Sequence, residues 1–243
     1  MIERPLHMPA APPAWRPPAA GRPGPLRRAP WRRRAWALLL GAAAGLSLLG
    51  ASPAAAPARY TVRAGDSLSR IGGHFGVSVG DLRQANPGLD EVLQPGQQLQ
   101  IARPWRLTRA SGLRWHRPLS AKPDRVLRPY GLRPGRSGGS VPHTGVDVAT
   151  PLGTPILSPA HGIVRYCGPQ TGFGNVVILD HGAGYSTVLA PVAPDSVRCR
   201  VGEAVLRGDV LGRVDLPEEC AEPYLHVELR RDKEAIAPTR LLH

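Results

Sequence analysis

Glycine and proline divide residues 154–229 into short apolar runs, and this spacing limits what the segment can fold into. Each run has three to six residues, which is too short for the helices of a bundle and suits β-strands joined by tight turns. The runs cover residues 154–157, 162–166, 175–179, 185–189, 204–206, 210–214 and 224–229. We therefore expect residues 126–243 to form an antiparallel β-sandwich or barrel.

The first 58 residues have the composition of an export leader. Of the 28 prolines, 11 lie in the first 57 residues, where eight arginines against the single acid Glu3 give a charge of +7. Three arginines, residues 32–34, precede the apolar stretch 35–51, and residues 56–58 read Ala-Pro-Ala, which fits a cleavage site. We expect residues 1–58 to be a signal peptide and the protein to be exported to the periplasm or cell wall. A retained membrane anchor is the alternative, although 17 apolar residues fall short of the roughly 20 that span a bilayer.

The net charge of +13 does not point to a nucleic-acid partner. More than half of it lies in the leader, and the 29 arginines against two lysines of the whole chain reflect base composition rather than a binding patch. Residues 102–125 contain six arginines and three prolines and are expected to be a basic linker between two domains. We expect no nucleic acid to be bound.

Residues 59–101 predict a strand, two short helices and a returning strand. Asp66 is expected to cap the first helix, and Ser78 with Asp81 three positions later has the signature of a capping box. The alternating residues 98–101 predict the returning strand. A small βααβ module is the result.

This module resembles a LysM domain over its whole length. The matching segments are Tyr60-Thr61-Val62, Gly65-Asp66-Ser67-Leu68, Ile71, Phe75-Gly76-Val77, Leu82, Asn86-Pro87 and Pro95-Gly96-Gln97. The resemblance implies binding of glycan that contains N-acetylglucosamine, chiefly peptidoglycan or chitin. The glycan-binding residues expected from it are Gly65, Asp66, Ser67, Asn86 and Pro87, and a βααβ fold without ligand affinity is the alternative.

Two segments of the C-terminal half concentrate metal-binding side chains. His143 and Asp147 stand four residues apart across a glycine turn, and Tyr224, His226 and Glu228 share one face of a predicted strand. Two imidazoles and one carboxylate are a sufficient set for Zn²⁺ and leave a fourth position open for water.

The same segments, with four others in order, resemble the lysostaphin/LytM-type zinc metallopeptidase family. The other segments are Tyr130-Gly131-Leu132-Arg133, Gly174-Asn175-Val176-Val177, Asp180-His181-Gly182 and Gly184-Tyr185-Ser186-Thr187. The resemblance implies a β-sheet groove, one zinc ion held by His143, Asp147 and His226, and hydrolysis of peptide bonds in peptidoglycan stems or bridges. The chain as a whole is then mainly β with one small α+β module.

Two family histidines are replaced in this sequence. Active members have a histidine at the position of Tyr224, where it helps to activate or orient water, and another at the position of Pro191. Tyrosine, with a pKa near 10, can donate a hydrogen bond to an oxyanion but is a poor general base, and proline can do neither. Tyr224 is the candidate catalytic residue. Glu228 is expected either to orient a histidine or to face solvent.

Three functions remain open at this point. Degenerate LytM-type domains are known as activators of cell-wall amidases, so the chain is expected to bind peptidoglycan glycan and stem peptides as a scaffold or activator, with an amidase as partner. The second reading is an active or slow zinc endopeptidase. The third is a wall-binding protein with a structural zinc, for which Cys220 is a conceivable fourth ligand. If the chain is exported, two of Cys167, Cys199 and Cys220 can form a disulfide, and the sequence leaves the pairing open.

Overall fold

A computed structural model describes residues 57–101, 113–120, 123, 125–134, 139–216 and 220–243. All of these residues belong to one compact unit. The predicted leader lies outside the described residues except for Pro57 and Ala58, and so does much of the predicted linker. In the described part of the chain, no helix is long and apolar enough to cross a membrane.

The N-terminal module, residues 57–101, has the predicted order of strand, helix, helix and strand. Its two strands are antiparallel and pair over their whole length. The elements are β1 (Ala58–Thr61), α1 (Leu68–Phe75), α2 (Val79–Ala85) and β2 (Gln98–Ile101).

Helix α1 begins one residue later than the sequence indicates. Ser67 is its N-cap and accepts a hydrogen bond from the backbone N–H of Arg70 at 3.2 Å. The prediction that Asp66 caps this helix is wrong. Its carboxylate instead accepts hydrogen bonds from the Arg63 backbone N–H and the Tyr60 hydroxyl, both at 2.8 Å, and so closes the turn between β1 and α1.

The start of α2 and the two adjacent glycines of α1, Gly72 and Gly73, each have a local physical explanation. The predicted capping box of Ser78 and Asp81 is present at the start of α2. A Cβ added to Gly72 would lie 2.5 Å from the backbone oxygen of Val77, whereas one added to Gly73 would meet nothing within 4 Å. Close packing therefore requires glycine at the first of these positions only.

The C-terminal module consists of short strands, as the spacing of glycine and proline predicts. They are β3 (Val126–Arg128), β4 (Gly131–Pro134), β5 (Ser140–His143), β6 (Val146–Ala149), β7 (Pro155–Leu157), β8 (Gly162–Gln170), β9 (Gly174–Gly182), β10 (Tyr185–Ala190), β11 (Ala204–Val205), β12 (Val210–Arg213), β13 (Tyr224–Arg231) and β14 (Glu234–Ile236). All the strand pairs described are antiparallel.

Eight of these strands form one sheet in the order β11-β8-β9-β10-β13-β6-β3, with β14 paired to β13. The two-stranded ribbon β7–β12 contributes Ile156 and Leu211 to the same buried apolar cluster as Leu179, Leu189 and Leu225 of the sheet. The ribbon therefore covers one face of the sheet and closes the core. The prediction of a mainly β chain with one small α+β module is confirmed.

Residues 113–120, which the sequence assigns to the linker, pack against the C-terminal module. Leu119 is fully buried and forms a bridge with Ile156, and the backbone N–H of His116 donates to the carbonyl of Pro159 at 2.7 Å. The Trp115 ring lies edge-on to His181, 5.2 Å between centroids. Apolar burial thus extends the C-terminal module ahead of the boundary predicted at residue 126.

Candidate metal centre

Neighbouring strands place the central residues of the candidate site in one row. Asp147 of β6 is paired with His226 of β13, Arg128 of β3 lies opposite Asp147, and Ala190 of β10 lies opposite His226. Side chains of directly paired residues point to the same face and lie close together. The register of the sheet therefore brings together an aspartate and a histidine that are 79 residues apart in the sequence.

His143, the last residue of β5, completes the cluster. One ligand atom from each of His143, Asp147 and His226 lies within 4.8 Å of the other two. The Nδ1 atom of His226 is 2.6 Å from Oδ1 of Asp147, and Nε2 of His143 is 3.4 Å from the same oxygen. Only 2% of Asp147 and 4% of His226 are exposed. The three predicted ligands thus converge on one buried point.

The outer nitrogen of each histidine has its own partner, and this tests whether the cluster fits a metal ion. Nδ1 of His143 donates to the carbonyl of Pro129 at 2.7 Å, and this contact directs Nε2 at Asp147. Nε2 of His226 lies 3.5 Å from Oε2 of Glu228, which leaves Nδ1 for the cluster. Such outer hydrogen bonds fix the orientation of metal-binding histidines in known sites. The donor set and its surroundings fit Zn²⁺.

Hydrogen bonds within the cluster shift the pKa values of its members. Burial opposes the charge on His226, but hydrogen bonds to Asp147 and Glu228 raise its pKa to about 9. Burial also opposes the charge on Asp147, and hydrogen bonds from His143 and His226 lower its pKa well below the usual range. A metal ion would have to displace the proton between Asp147 and His226.

Glu228 lies in the interior, and the expectation that it orients a histidine has a structural basis. Only 1% of it is exposed. Its Oε1 accepts a hydrogen bond from Nε of Arg230, and its Oε2 accepts one from the Thr144 hydroxyl at 3.1 Å while facing His226. Although burial opposes ionisation, the contacts with His226 and Arg230 lower the pKa of Glu228. The alternative of a carboxylate facing solvent does not hold.

Tyr224 stands beside the cluster on the same strand as His226. Its ring lies under the guanidinium of Arg128, 4.8 Å from the ring centroid, and Arg128 also forms an ion pair with Oδ2 of Asp147. Burial, with the nearby Cys220 and Asp147, raises the pKa of Tyr224 to about 12. The phenol therefore keeps its proton at neutral pH. It can donate a hydrogen bond but cannot act as a base.

Two further histidines of the C-terminal module, His161 and His181, lie away from this cluster. His181 is fully buried, with Nδ1 donating to the carbonyl of His161 and Nε2 accepting from the Thr187 hydroxyl, both at 2.9 Å. The imidazole of His161 accepts a hydrogen bond from the Arg207 backbone N–H and packs against His74, 4.6 Å between centroids. Both imidazoles have structural partners away from the metal cluster.

The predicted glycan-binding residues occupy two separate connections of the N-terminal module. Gly65, Asp66 and Ser67 lie between β1 and α1, and Asn86 and Pro87 follow α2. A cavity of about 270 Å³ is lined by Asn86 and Pro87 but not by the other three. The structure therefore does not gather the five residues around one cavity.

Four residues of the site were missed by sequence reasoning. Arg128 and Thr144 contact Asp147 and Glu228, Arg230 pairs with Glu228, and the Phe173 ring lies 5.5 Å from that of His226. Only Arg230 could have been assigned to the site from the sequence, because it lies two residues after Glu228 on the same strand and so shares its face.

Comparisons with known proteins match both modules. The family model for "Peptidase family M23" matches residues 141–238, which include all three candidate ligands. The model for "LysM domain" matches residues 60–102. The chain is 30% identical over 205 residues to the "Uncharacterized lipoprotein YgeR" of Escherichia coli, which covers 75% of this chain and 80% of that protein.

Other relatives match a shorter part of the chain. The "Cell division protein DipM" of Caulobacter vibrioides is 36% identical over 106 residues, 43% of this chain and 16% of that protein. The "DD-carboxypeptidase/endopeptidase Mpg" of Neisseria meningitidis is 33% identical over 96 residues, 40% of this chain and 22% of that protein. The chain thus spans most of the lipoprotein but less than a quarter of these two relatives.

Proposed function

The chain belongs to peptidase family M23 and carries a LysM domain, and from this membership we propose that it is an exported peptidoglycan-binding protein that acts in wall remodelling as a scaffold or activator for other hydrolases. The LysM domain supports binding to the glycan. The similar lipoprotein and cell-division protein support a location in the envelope, in the periplasm or cell wall. The predicted leader of residues 1–58 supports export, with a retained anchor as the alternative.

One observation carries the choice of scaffold over efficient enzyme: the metal cluster is intact, but no available general base stands beside it among the described residues. Tyr224 keeps its proton because its pKa is about 12. Pro191 occupies the position of the second family histidine and has no group that titrates. Glu228 has both oxygens engaged by neighbouring donors. The loss of positioned acid–base catalysis typically lowers a rate by roughly 10²- to 10⁴-fold.

We assign His143, Asp147 and His226 as the residues that hold one Zn²⁺ ion. When bound, zinc supplies a Lewis acid that polarises a carbonyl and lowers the pKa of coordinated water. The Pro129 carbonyl holds His143 in the tautomer that directs Nε2 at the site. These contacts preorganise the ligands, so metal binding is part of the proposal whether or not the site is catalytic.

Glu228 is proposed as a positioning residue for His226. It accepts from the outer nitrogen of that histidine and is itself held by Arg230 and Thr144. Replacing the carboxylate by an amide in Glu228→Gln keeps the shape but weakens the contact. We expect zinc affinity to fall by roughly 10- to 100-fold, as for other residues that support metal-binding histidines.

A slow zinc endopeptidase is the second candidate, because the three ligands are all retained. In that case Tyr224, as the candidate catalytic residue, donates its hydroxyl proton in a hydrogen bond to the oxyanion that develops on the scissile carbonyl. Arg128, stacked on the phenol ring, adds positive charge at the same place. A structural zinc with Cys220 as fourth ligand has less support, since the described cluster comprises three residues and Cys220 is not among them.

The deciding experiment measures release of labelled fragments from peptidoglycan by the purified chain. It is run with added zinc, with a chelator, and with an added cell-wall amidase, in the wild type and in Tyr224→Phe. We expect release only with the amidase, and more than the amidase gives alone. We expect Tyr224→Phe to leave this amidase-dependent release unchanged, because the phenol takes no part in the amidase's chemistry.

Two results would change the conclusion. Zinc-dependent release by the chain alone that Tyr224→Phe reduces would establish the slow endopeptidase. Tight zinc binding and glycan binding with neither kind of release would leave a purely structural wall-binding protein.

For the glycan, we propose that Gly65, Asp66, Ser67, Asn86 and Pro87 contribute to binding. Pull-down with insoluble peptidoglycan tests this proposal.

A further inference from the structure

The N-terminal module is docked directly on the β11 side of the C-terminal sheet. The guanidinium of Arg63 donates to both carboxylate oxygens of Asp209, at 2.7 and 2.5 Å. The backbone N–H of Arg59 donates to the carbonyl of Gly202 at 3.0 Å, and Arg59 forms an isolated parallel bridge with Glu203, the residue before β11. Main chain and side chains thus both join the modules.

An apolar contact also crosses the junction. Ile163 of β8 and Ala204 of β11 are fully buried in the same cluster as Tyr60, Phe75 and Ile101 of the N-terminal module. Exposing this shared surface would cost free energy in proportion to its apolar area. We therefore treat the two modules as one body with a fixed geometry between them.

A large cleft of about 1010 Å³ opens beside this junction, with walls from both modules. Arg59, Asn86 and Gln98 line it from the N-terminal module. Arg198, Arg200 and Glu203 line it from the segment that leads into β11. Its volume lies at the upper end of the range of ligand sites in proteins, about 300–1,000 Å³. The cleft is composite, because neither module supplies both walls.

The cleft carries an excess of positive charge. The side chains of Arg59, Arg198 and Arg200 are exposed, and none of the three forms an ion pair within the described part of the chain. The carboxylate of Glu203 accepts a hydrogen bond from the Arg200 backbone N–H at 2.9 Å. Guanidinium groups bind carboxylates with paired hydrogen bonds, so such a cleft suits a ligand with several carboxylates.

The position of Asn86 indicates where such a ligand would come from. This residue belongs to the predicted glycan-binding set and also lines the cleft. Its side-chain amide is fixed, since it donates to the carbonyls of Leu82 and Gln100 at 2.7 and 2.9 Å. A glycan held at this connection would carry its substituents over the cleft.

We propose that the cleft between the modules binds the carboxylate-bearing peptide stems of the same glycan strand that the LysM domain holds. This inference rests on the proposed peptidoglycan binding and adds a second contact to it. Arg198 and Arg200 of the C-terminal module recognise the carboxylates, and Arg59 does so from the other wall. The chain thus binds an anionic glycopeptide more tightly than a neutral glycan of equal length.

The test compares two soluble probes by titration calorimetry on the full chain. One probe is a neutral tetramer of N-acetylglucosamine, and the other is a glycan tetramer with peptide stems that have free carboxylates. In the double variant Arg198→Gln/Arg200→Gln, we expect affinity for the glycopeptide to fall by roughly tenfold, the effect of two exposed charge-assisted contacts. Affinity for the neutral tetramer should not change. The difference between probes should also shrink at high salt.

Arg114→Gln is the matched control, because Arg114 is exposed and lies outside the cleft. It removes one positive charge, half the change made by the double variant, and should leave both affinities unaltered. Equal glycopeptide affinity in the wild type and the double variant would overturn the inference. If neither probe binds to the wild type, the proposed glycan binding itself fails. If a phosphodiester polymer binds in an arginine-dependent way and the glycopeptide does not, the cleft recognises phosphate and the inference is wrong.

Discussion

Substitution of Gly145 by alanine should abolish tight metal binding without removing a ligand. An added Cβ would lie 2.5 Å from Cε1 and 2.7 Å from Nε2 of His226, and 2.7 Å from the carbonyl oxygen of Val227. Ordinary van der Waals contact begins at about 3.4 Å. The imidazole would therefore have to retreat by roughly 0.9 Å, and the backbone of β13 blocks an easy adjustment.

The size of this shift decides the outcome. Metal–ligand distances tolerate deviations of about 0.2 Å, so a displacement of roughly 0.9 Å takes His226 out of the coordination sphere. We expect zinc affinity to fall by about 100-fold or more. The overpacking itself should lower the free energy of unfolding by about 1–3 kcal/mol, which leaves the module folded if its stability is ordinary.

The assay is competition for zinc against a chromophoric chelator, with thermal unfolding of the metal-free protein measured in parallel. His226→Ala supplies the reference for complete loss of one ligand. Gly73→Ala is the matched control, since a Cβ there meets nothing within 4 Å and the position is remote from the metal cluster. Zinc affinity of Gly145→Ala equal to that of the wild type would refute the placement of His226 as a ligand beside this turn.

Three further predictions concern stability and covalent structure. Burial lowers the pKa of His181 to about 4 from 6.5, so its contribution to stability is complete above pH 6.5 and is lost as the pH falls towards 4. Denaturant unfolding should therefore show a free energy of unfolding about 2 kcal/mol lower at pH 5 than at neutral pH, and His181→Asn should lack this loss. Gly72→Ala should destabilise the N-terminal module by about 1–2 kcal/mol because of the Val77 carbonyl, whereas Gly73→Ala should stabilise it by about 1 kcal/mol in thermal unfolding. If the chain is exported, we predict that Cys167 and Cys199 form the disulfide, because the Cys167 thiol donates to the Cys199 carbonyl at 3.4 Å and so lies against that residue. Exchange with an oxidised protein dithiol takes up the two electrons and two protons, and unreduced peptide mapping detects the bridge.

Each of these has a clear contrary result. A wild-type pH dependence identical to that of His181→Asn would mean that the buried imidazole does not titrate as described. Equal effects of the two glycine substitutions would show that a Cβ at position 72 does not meet the Val77 carbonyl. A bridge that includes Cys220 would contradict the pairing drawn from the structure.

The sequence predicted which residues cluster at the candidate metal centre but not how they are held. His143, Asp147 and His226 were predicted as ligands from the resemblance to the LytM-type family, and two imidazoles with one carboxylate are a sufficient set for zinc. Their outer partners depend on the register of β3, β6 and β13, a property of long-range pairing that local patterns do not encode. Arg128 therefore could not be assigned to the site before the strand order was known.

The elements of the fold were more predictable than their ends and contacts. The capping box at Ser78 was found because its two members are three residues apart in the sequence. Asp66 was misassigned because it and Ser67 are both good caps, and the choice depends on the Tyr60 hydroxyl, which only the folded turn brings near. The burial of Leu119 was missed because charge and proline dominate its surroundings in the sequence.

The junction between the modules has a mechanical consequence. A cell wall under turgor is a stretched network. A domain joined to its wall-binding module by a long flexible linker would carry little of that tension. Here a pull on a glycan held by the LysM domain would pass through the Arg63–Asp209 pair and the bridge at Arg59 directly into the edge of the large sheet. Wall strain would therefore load the body that carries the metal cluster.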